Sequence, residues 1–140
     1  MKKTLFSLAA LIALTFAGCS KDDDKGSQEK MLLGKWTPVS TKIKVTDKVN
    51  GGSTTSDQPV YPNDYIDFRS DGKVYISISD PSEGPGYDPR DTMPYRLVQN
   101  YVIVDGDSMA INTLNNNSLV FTQSESDQYE LWETTFSFKK

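Results

Sequence analysis

The stretch Tyr65-Ile66-Asp67-Phe68-Arg69-Ser70-Asp71-Gly72-Lys73-Val74-Tyr75-Ile76-Ser77-Ile78 decides the fold. Ile66 and Phe68, then Val74, Ile76 and Ile78, occupy alternate positions on either side of Ser70-Asp71-Gly72. A period of two puts successive side chains on opposite faces, so each run reads as a strand with one apolar face. Asp-Gly between two such runs is the strongest short-range hairpin signal, because glycine accepts a positive φ at no steric cost.

Working outward, the same alternation predicts seven strands, at about 35–45, 64–70, 73–79, 95–104, 108–113, 118–124 and 128–139. In the last, Trp132, Thr134, Phe136 and Phe138 share one face, and core packing is the reading these aromatics favour. Only 28–33 suggests a helical turn. Short antiparallel strands must cover their edges or close on themselves, so the expected fold is all-β, a small antiparallel up-and-down barrel of about seven or eight strands. Connections then alternate between two ends. That alternation collects the tight turns near Asp71-Gly72, Asp105-Gly106-Asp107 and Glu125-Ser126-Asp127 at one end, and 46–63, 80–94 and Leu114 to Asn117 at the other. Loops longer than about 12–15 residues in compact domains are usually functional or disordered, which makes the long-looped rim the candidate surface. The 46–63 segment, rich in Gly, Ser and Thr, reads as flexible; Pro81, Pro85, Pro89 and Pro94 around Tyr87 read as a stiffer presented surface.

The amino terminus is of another kind. Met1-Lys2-Lys3, the apolar run Leu5 to Phe16 and the small pair Ala17-Gly18 before Cys19 follow the order of an export signal. A membrane span needs roughly 20 apolar residues, more than this run offers. The small pair before cysteine resembles the lipobox of bacterial lipoproteins, with Phe16 where leucine is commonest. The resemblance implies cleavage after residue 18 and a lipid anchor on Cys19, diacylglycerol on sulfur and an acyl chain on the amino group. An ordinary secretory signal with a chance cysteine is the alternative. Cys19 is the only cysteine, so no disulfide forms within the chain. Lys21, Asp22, Asp23 and Asp24, whose acidic cluster begins within two or three residues of the cysteine, resemble the surface-export signal of lipoproteins in one phylum of Gram-negative bacteria. That implies the outer face of the outer membrane, with the periplasmic leaflet as the alternative. The organisation expected is a signal peptide over 1–18, a lipidated cysteine and flexible acidic tether over 19–30, and one domain over 31–140. The three aspartates lack the ligand spacing of a calcium loop.

Composition narrows the chemistry. Nineteen acidic residues against 15 basic ones give a formal charge of −4, and loss of Lys2 and Lys3 with a leader makes the remainder more acidic still. Nucleic-acid recognition wants clustered positive charge, so no such partner is expected. With no histidine in the chain, the commonest general base and metal ligand is missing. With Cys19 committed to lipid, neither a Cys/His nor a Ser/His nucleophile can be assembled. A carboxylate pair remains chemically possible, but the acidic residues scatter over apparent turns; an enzyme, a metal or a cofactor beyond the lipid is not expected.

Leu33-Gly34-Lys35-Trp36, the Tyr65 to Val74 hairpin and the closing Phe136-Ser137-Phe138-Lys139-Lys140 together resemble the lipocalin-like lipoproteins of gut-type Gram-negative bacteria, over about Leu32 to Lys140. The resemblance implies that Gly34 and Trp36 close the tight end of the barrel, the indole lying under a basic side chain of the last strand, for which Lys139 is the candidate. The chain is shorter than true lipocalins and lacks their second, Thr-Asp-x-x, loop motif. An eight-stranded barrel is just wide enough to fill with side chains or to hold one small ligand. Two functions follow. One is a binding module taking a small apolar or amphipathic molecule or a glycan fragment at the long-looped rim, with Tyr61, Tyr87, Arg90 and Met93 as contacts and Phe68 and Trp132 lining the interior. The other is an accessory subunit of an outer-membrane protein assembly, its barrel filled and its rim applied to a protein partner through tyrosine and arginine anchors. In both, the tether joins at the tight end and the rim points away from the membrane.

Overall fold

The computed structural model describes residues 21–80, 82–83 and 87–140, with side chains from Gly26 onward. The expected leader 1–18, the Cys19 lipid site, Pro81 and Pro85 lie outside the described residues, as do the side chains of Lys21, Asp22, Asp23 and Asp24.

A helix α1 (Lys21–Leu32) is followed by nine strands: β1 (Gly34–Asp47), β2 (Ser53–Gln58), β3 (Tyr65–Phe68), β4 (Lys73–Ser77), β5 (Arg90–Val98), β6 (Tyr101–Val104), β7 (Asp107–Leu114), β8 (Ser118–Ser126) and β9 (Glu130–Lys139). Every pairing is antiparallel. Strands β1 and β3 to β9 form a closed eight-stranded ring, sealed by β9 against β1. Strand β2 stands outside it, added to the upper part of β1 from Thr41 to Thr46, while Gly34, Lys35 and Trp36 on the same edge of β1 face β3. The fold is therefore the expected all-β up-and-down barrel.

The deciding hairpin forms as read. Phe68 pairs with Val74, Gly72 takes φ 76° and donates to the Arg69 carbonyl at 3.1 Å, and the Asp71 carboxylate accepts the Lys73 N–H at 3.0 Å. The Asp105-Gly106 turn also has both residues at positive φ, 49° and 100°, which suits the right-handed twist of the strands it joins.

Three expectations are corrected. The run 95–104 is not one strand: the chain reverses at Gln99-Asn100, with Gln99 at φ 53°, and Val98 pairs with Tyr101. No glycine marks this turn, and β-branched residues on both sides carry the alternation straight through it. The extra reversal changes the end at which every later connection falls. Turns 69–72, 99–100 and 115–117 share the end where β1 starts; the 105–106 and 127–129 turns join the 78–89 connection at the opposite end. The second correction concerns 46–63, whose middle is strand β2, exposed at every residue and so without an apolar alternation to betray it. The 80–94 segment likewise ends in strand, with Pro94 at the point where β5 passes from β4 to β6 and its carbonyl, not its missing N–H, taking the next ladder bond from Asp105. The third is α1, which extends to Lys21 through the segment expected as a tether with one turn at 28–33.

Inward positions of the ring carry the core: Trp36, Ile66, Phe68, Val74, Leu97, Val102, Leu119, Phe121 and Phe138 are all buried. Outward positions such as Lys42, Lys44, Thr122 and Thr135 are polar, two of them in ion pairs, Lys42 to Asp57 at 2.7 Å and Lys44 to Glu133 at 3.2 Å. Apolar-in and polar-out is the reverse of a lipid-facing barrel. At the end where β1 starts, α1 and the carboxyl terminus form a plug. The Trp36 indole N–H donates to the Leu32 carbonyl at 2.7 Å, and both side chains are fully buried. Lys140 caps the ring face at 4.5 Å and donates to the Met31 carbonyl at 2.8 Å, so the basic partner of Trp36 is Lys140 and not Lys139. Gly34 has φ 109°, a conformation a side chain resists, and lies directly beneath the Lys140 stem.

Candidate functional site

The opposite end of the ring is open. Below it lies a cavity of about 300 Å³ whose walls are ring side chains, among them Phe68, Val74, Met109, Phe121, Phe136 and Phe138, with Pro59 and Val60 leaning in from the β2–β3 connection. The lining is overwhelmingly apolar. Beside it a surface groove of about 410 Å³ runs between that connection and the 78–91 segment, lined by Tyr61, Tyr87, Pro89 and Met93 together with Asp80 and Asp91. Gln58, Pro59, Ile76 and Ile78 border both, so groove and cavity adjoin at the mouth of the ring.

Asp64 sets the shape of this mouth. It is the one buried charged residue among the described residues, 5% exposed. Its carboxylate accepts the Ser79 N–H at 2.9 Å, the Ser79 hydroxyl at 2.8 Å and the Tyr61 N–H at 3.3 Å. A carboxylate can be buried only if its oxygens are paired in this way. The pairing ties the β2–β3 connection to the first residues after β4. Farther out, Ile78 donates to the Pro89 carbonyl at 3.1 Å, closing the base of the 78–89 connection. Asp80 caps Ser82 through its backbone N–H at 2.9 Å and its hydroxyl at 2.6 Å, and these bonds hold its carboxyl below the ordinary range.

The sequence-predicted residues divide. Phe68 lines the cavity; Tyr61, Tyr87 and Met93 line the groove. Trp132 is half-buried on the Phe136 face of β9, in register with Val45, above the cavity and not among its walls. Arg90 is not brought to the groove. Its guanidinium forks onto Asp88 with two bonds of 2.8 Å, and this pairing pulls the Asp88 carboxyl down to about 2. Sequence reasoning missed Asp64 and the Pro59-Val60 lip. The available signal was the Pro-Asn-Asp turn immediately before a strand, where an aspartate commonly accepts nearby backbone N–H groups.

No histidine, cysteine or carboxylate cluster able to hold a metal ion occurs among the described residues. No known protein family and no curated protein matches the chain.

Proposed function

We propose that this chain is a lipocalin-like lipoprotein, anchored to the outer membrane by lipid on Cys19 and presented at the cell surface, whose barrel binds one small apolar or amphipathic molecule. The observation that carries the binding function is the mouth: an apolar cavity of about 300 Å³ adjoining an aromatic groove. That volume is at the lower end of ligand pockets, which suits one short chain or a small ring system. Burying apolar surface there gains about 25 cal/mol per Å² removed from water, while the polar lining fixes orientation. The anchoring rests on the Ala17-Gly18-Cys19 pattern and the acidic residues after it. The helix α1, which follows the attachment point in sequence, ends beneath Trp36 at the closed end of the ring, and this supports a tether joining at that end.

Native mass spectrometry of the protein taken from its own host tests the binding function, joined to titration with the neutral fluorescent probe N-phenyl-1-naphthylamine. A reproducible bound mass, or saturable probe binding that a cavity-filling Met109→Trp variant abolishes while keeping the native circular dichroism, is the expected result. An apo mass together with probe binding unchanged in Met109→Trp would refute an open cavity and turn attention to a protein partner at the rim.

A further inference from the structure

The charges around the mouth go further than its shape. Resting on the cavity reading just given, we infer that the occupant is a cationic amphiphile: an apolar body in the barrel and a positively charged nitrogen at the rim, beside Asp91. Neither the cavity nor the groove has a lysine or arginine in its lining, whereas Asp80 and Asp91 both face the groove. The loop residues outside the description, Pro81, Gly84, Pro85 and Gly86, have no ionisable side chain, so they bring no compensating charge.

The basic residues that could have neutralised this rim are committed elsewhere. Lys42 pairs with Asp57, Lys44 with Glu133 and Arg90 with Asp88. Lys48 donates to Ser126 and to the Asp127 carbonyl. Arg90 and Asp91 are adjacent on β5, so strand alternation sends them to opposite faces: Arg90 outward to Asp88, Asp91 to the face it shares with Ile76, its cross-strand partner. Asp57, Asp67, Asp88 and Glu133 each have a cationic partner. Asp91 accepts only the N–H of its own neighbour Thr92, at 2.6 Å, and has no cation partner among the described residues. The Asp80 and Asp91 carboxylates are both exposed at the rim, so an anionic head group placed there meets a screened repulsion with no lysine or arginine in the lining to offset it. A cationic head group supplies the missing countercharge. Such arrangements select as much by rejecting the wrong sign as by attracting the right one.

The test compares three ligands with one chain length, decylammonium, decanol and decanoate, titrated calorimetrically into the full chain below their micellar concentrations at low ionic strength. Decylammonium should bind at least tenfold more tightly than decanoate, with decanol between them, and the gap should shrink at 1 M salt, where the screening length is about 3 Å. Asp91→Asn should close most of the gap between decylammonium and decanoate, with native circular dichroism and retained saturable N-phenyl-1-naphthylamine binding reporting an intact cavity; Asp91→Lys should reverse the order. Equal affinities, a preference for decanoate, or a gap that survives Asp91→Asn overturns the inference while leaving the apolar cavity standing. Failure of all three ligands to bind overturns the cavity reading, and the inference with it.

Discussion

Replacing Trp36 by alanine should remove a large share of the stability of the domain. The side chain is fully buried between α1 and the floor of the ring, its indole N–H bonded to Leu32 and its face covered by Lys140. Truncating a buried tryptophan costs about 3–5 kcal/mol, from lost transfer free energy and the cavity left behind. The Leu32 carbonyl loses its donor as well, and Lys140 loses a cation–π contact worth about 0.5–2 kcal/mol, although its bond to Met31 persists. Taken at the low end of each range these losses come to about 4 kcal/mol, against a whole-domain stability of about 5–15 kcal/mol. With a urea slope of about 1.5 kcal/mol/M, the unfolding midpoint should fall by about 2.5 M. Circular dichroism reads this directly, and Trp132, the only other tryptophan, provides an independent fluorescence signal. Trp36→Phe, which keeps an aromatic ring but strands the Leu32 carbonyl, should lose about 1–2 kcal/mol. A loss below about 1 kcal/mol in the alanine variant, at unchanged slope, refutes the plug.

Four further outcomes are expected. Asp64→Ala strands Ser79 and the Tyr61 N–H and should cost about 2–3 kcal/mol, with faster amide exchange at both residues; protection equal to wild type contradicts the clamp. Gln99→Gly relieves a positive φ of 53° and should stabilise by about 0.5–1 kcal/mol in urea melts, a destabilisation being the opposing result. Asp47, Asp80, Asp88 and Asp127 are held below the ordinary carboxylate value of 3.8 by hydrogen bonds, for Asp88 chiefly from Arg90. A folded value below the unfolded one contributes stability that is full above 3.8 and is lost as pH falls through the folded value, for Asp88 about 2. Urea midpoints should therefore fall through that acid window; their contribution is contradicted if the midpoint does not change there. Cys19→Ser should move the protein from the membrane pellet to the supernatant, and a variant that still sediments refutes lipid anchoring.

The legible parts of the fold were those where an alternating apolar face and a glycine turn coincide. Between Tyr65 and Ser77 both signals agree, and the strands form where the alternation places them. Where one signal is missing, the reading fails in a definite way. Gln99-Asn100 reverses the chain without glycine, so the alternation alone fuses β5 and β6 into one strand and sends the later turns to the wrong ends. Strand β2 has no buried side, and a segment held only by backbone pairing to β1 leaves no trace in hydropathy. At the mouth, Phe68, Tyr61, Tyr87 and Met93 were accessible to sequence reasoning because large apolar residues near long connections tend to border cavities. Asp64 was not, since its role depends on Ser79, 15 positions away, arriving at the same point in space. Arg90 was misplaced because the preference for Asp88, two residues away, is a local geometric matter that composition does not reveal.

The ring is unevenly sewn. Strand β1 is joined to β9 along most of its length, from Thr37 to Asp47, but meets β3 only through Gly34, Lys35 and Trp36. A cylinder parts first at its shortest seam. Partial opening between β1 and β3 would need few ladder bonds broken, yet it would pull Trp36 from the floor and expose the flank of the cavity at Ile66 and Phe68. The same indole that plugs the base thus also fastens the side. If the cavity is occupied as proposed, its occupant would have two ways out, upward past the Pro59 lip or sideways through this slit, and the strength of the tryptophan's attachment to Leu32 would decide how rarely the second is used.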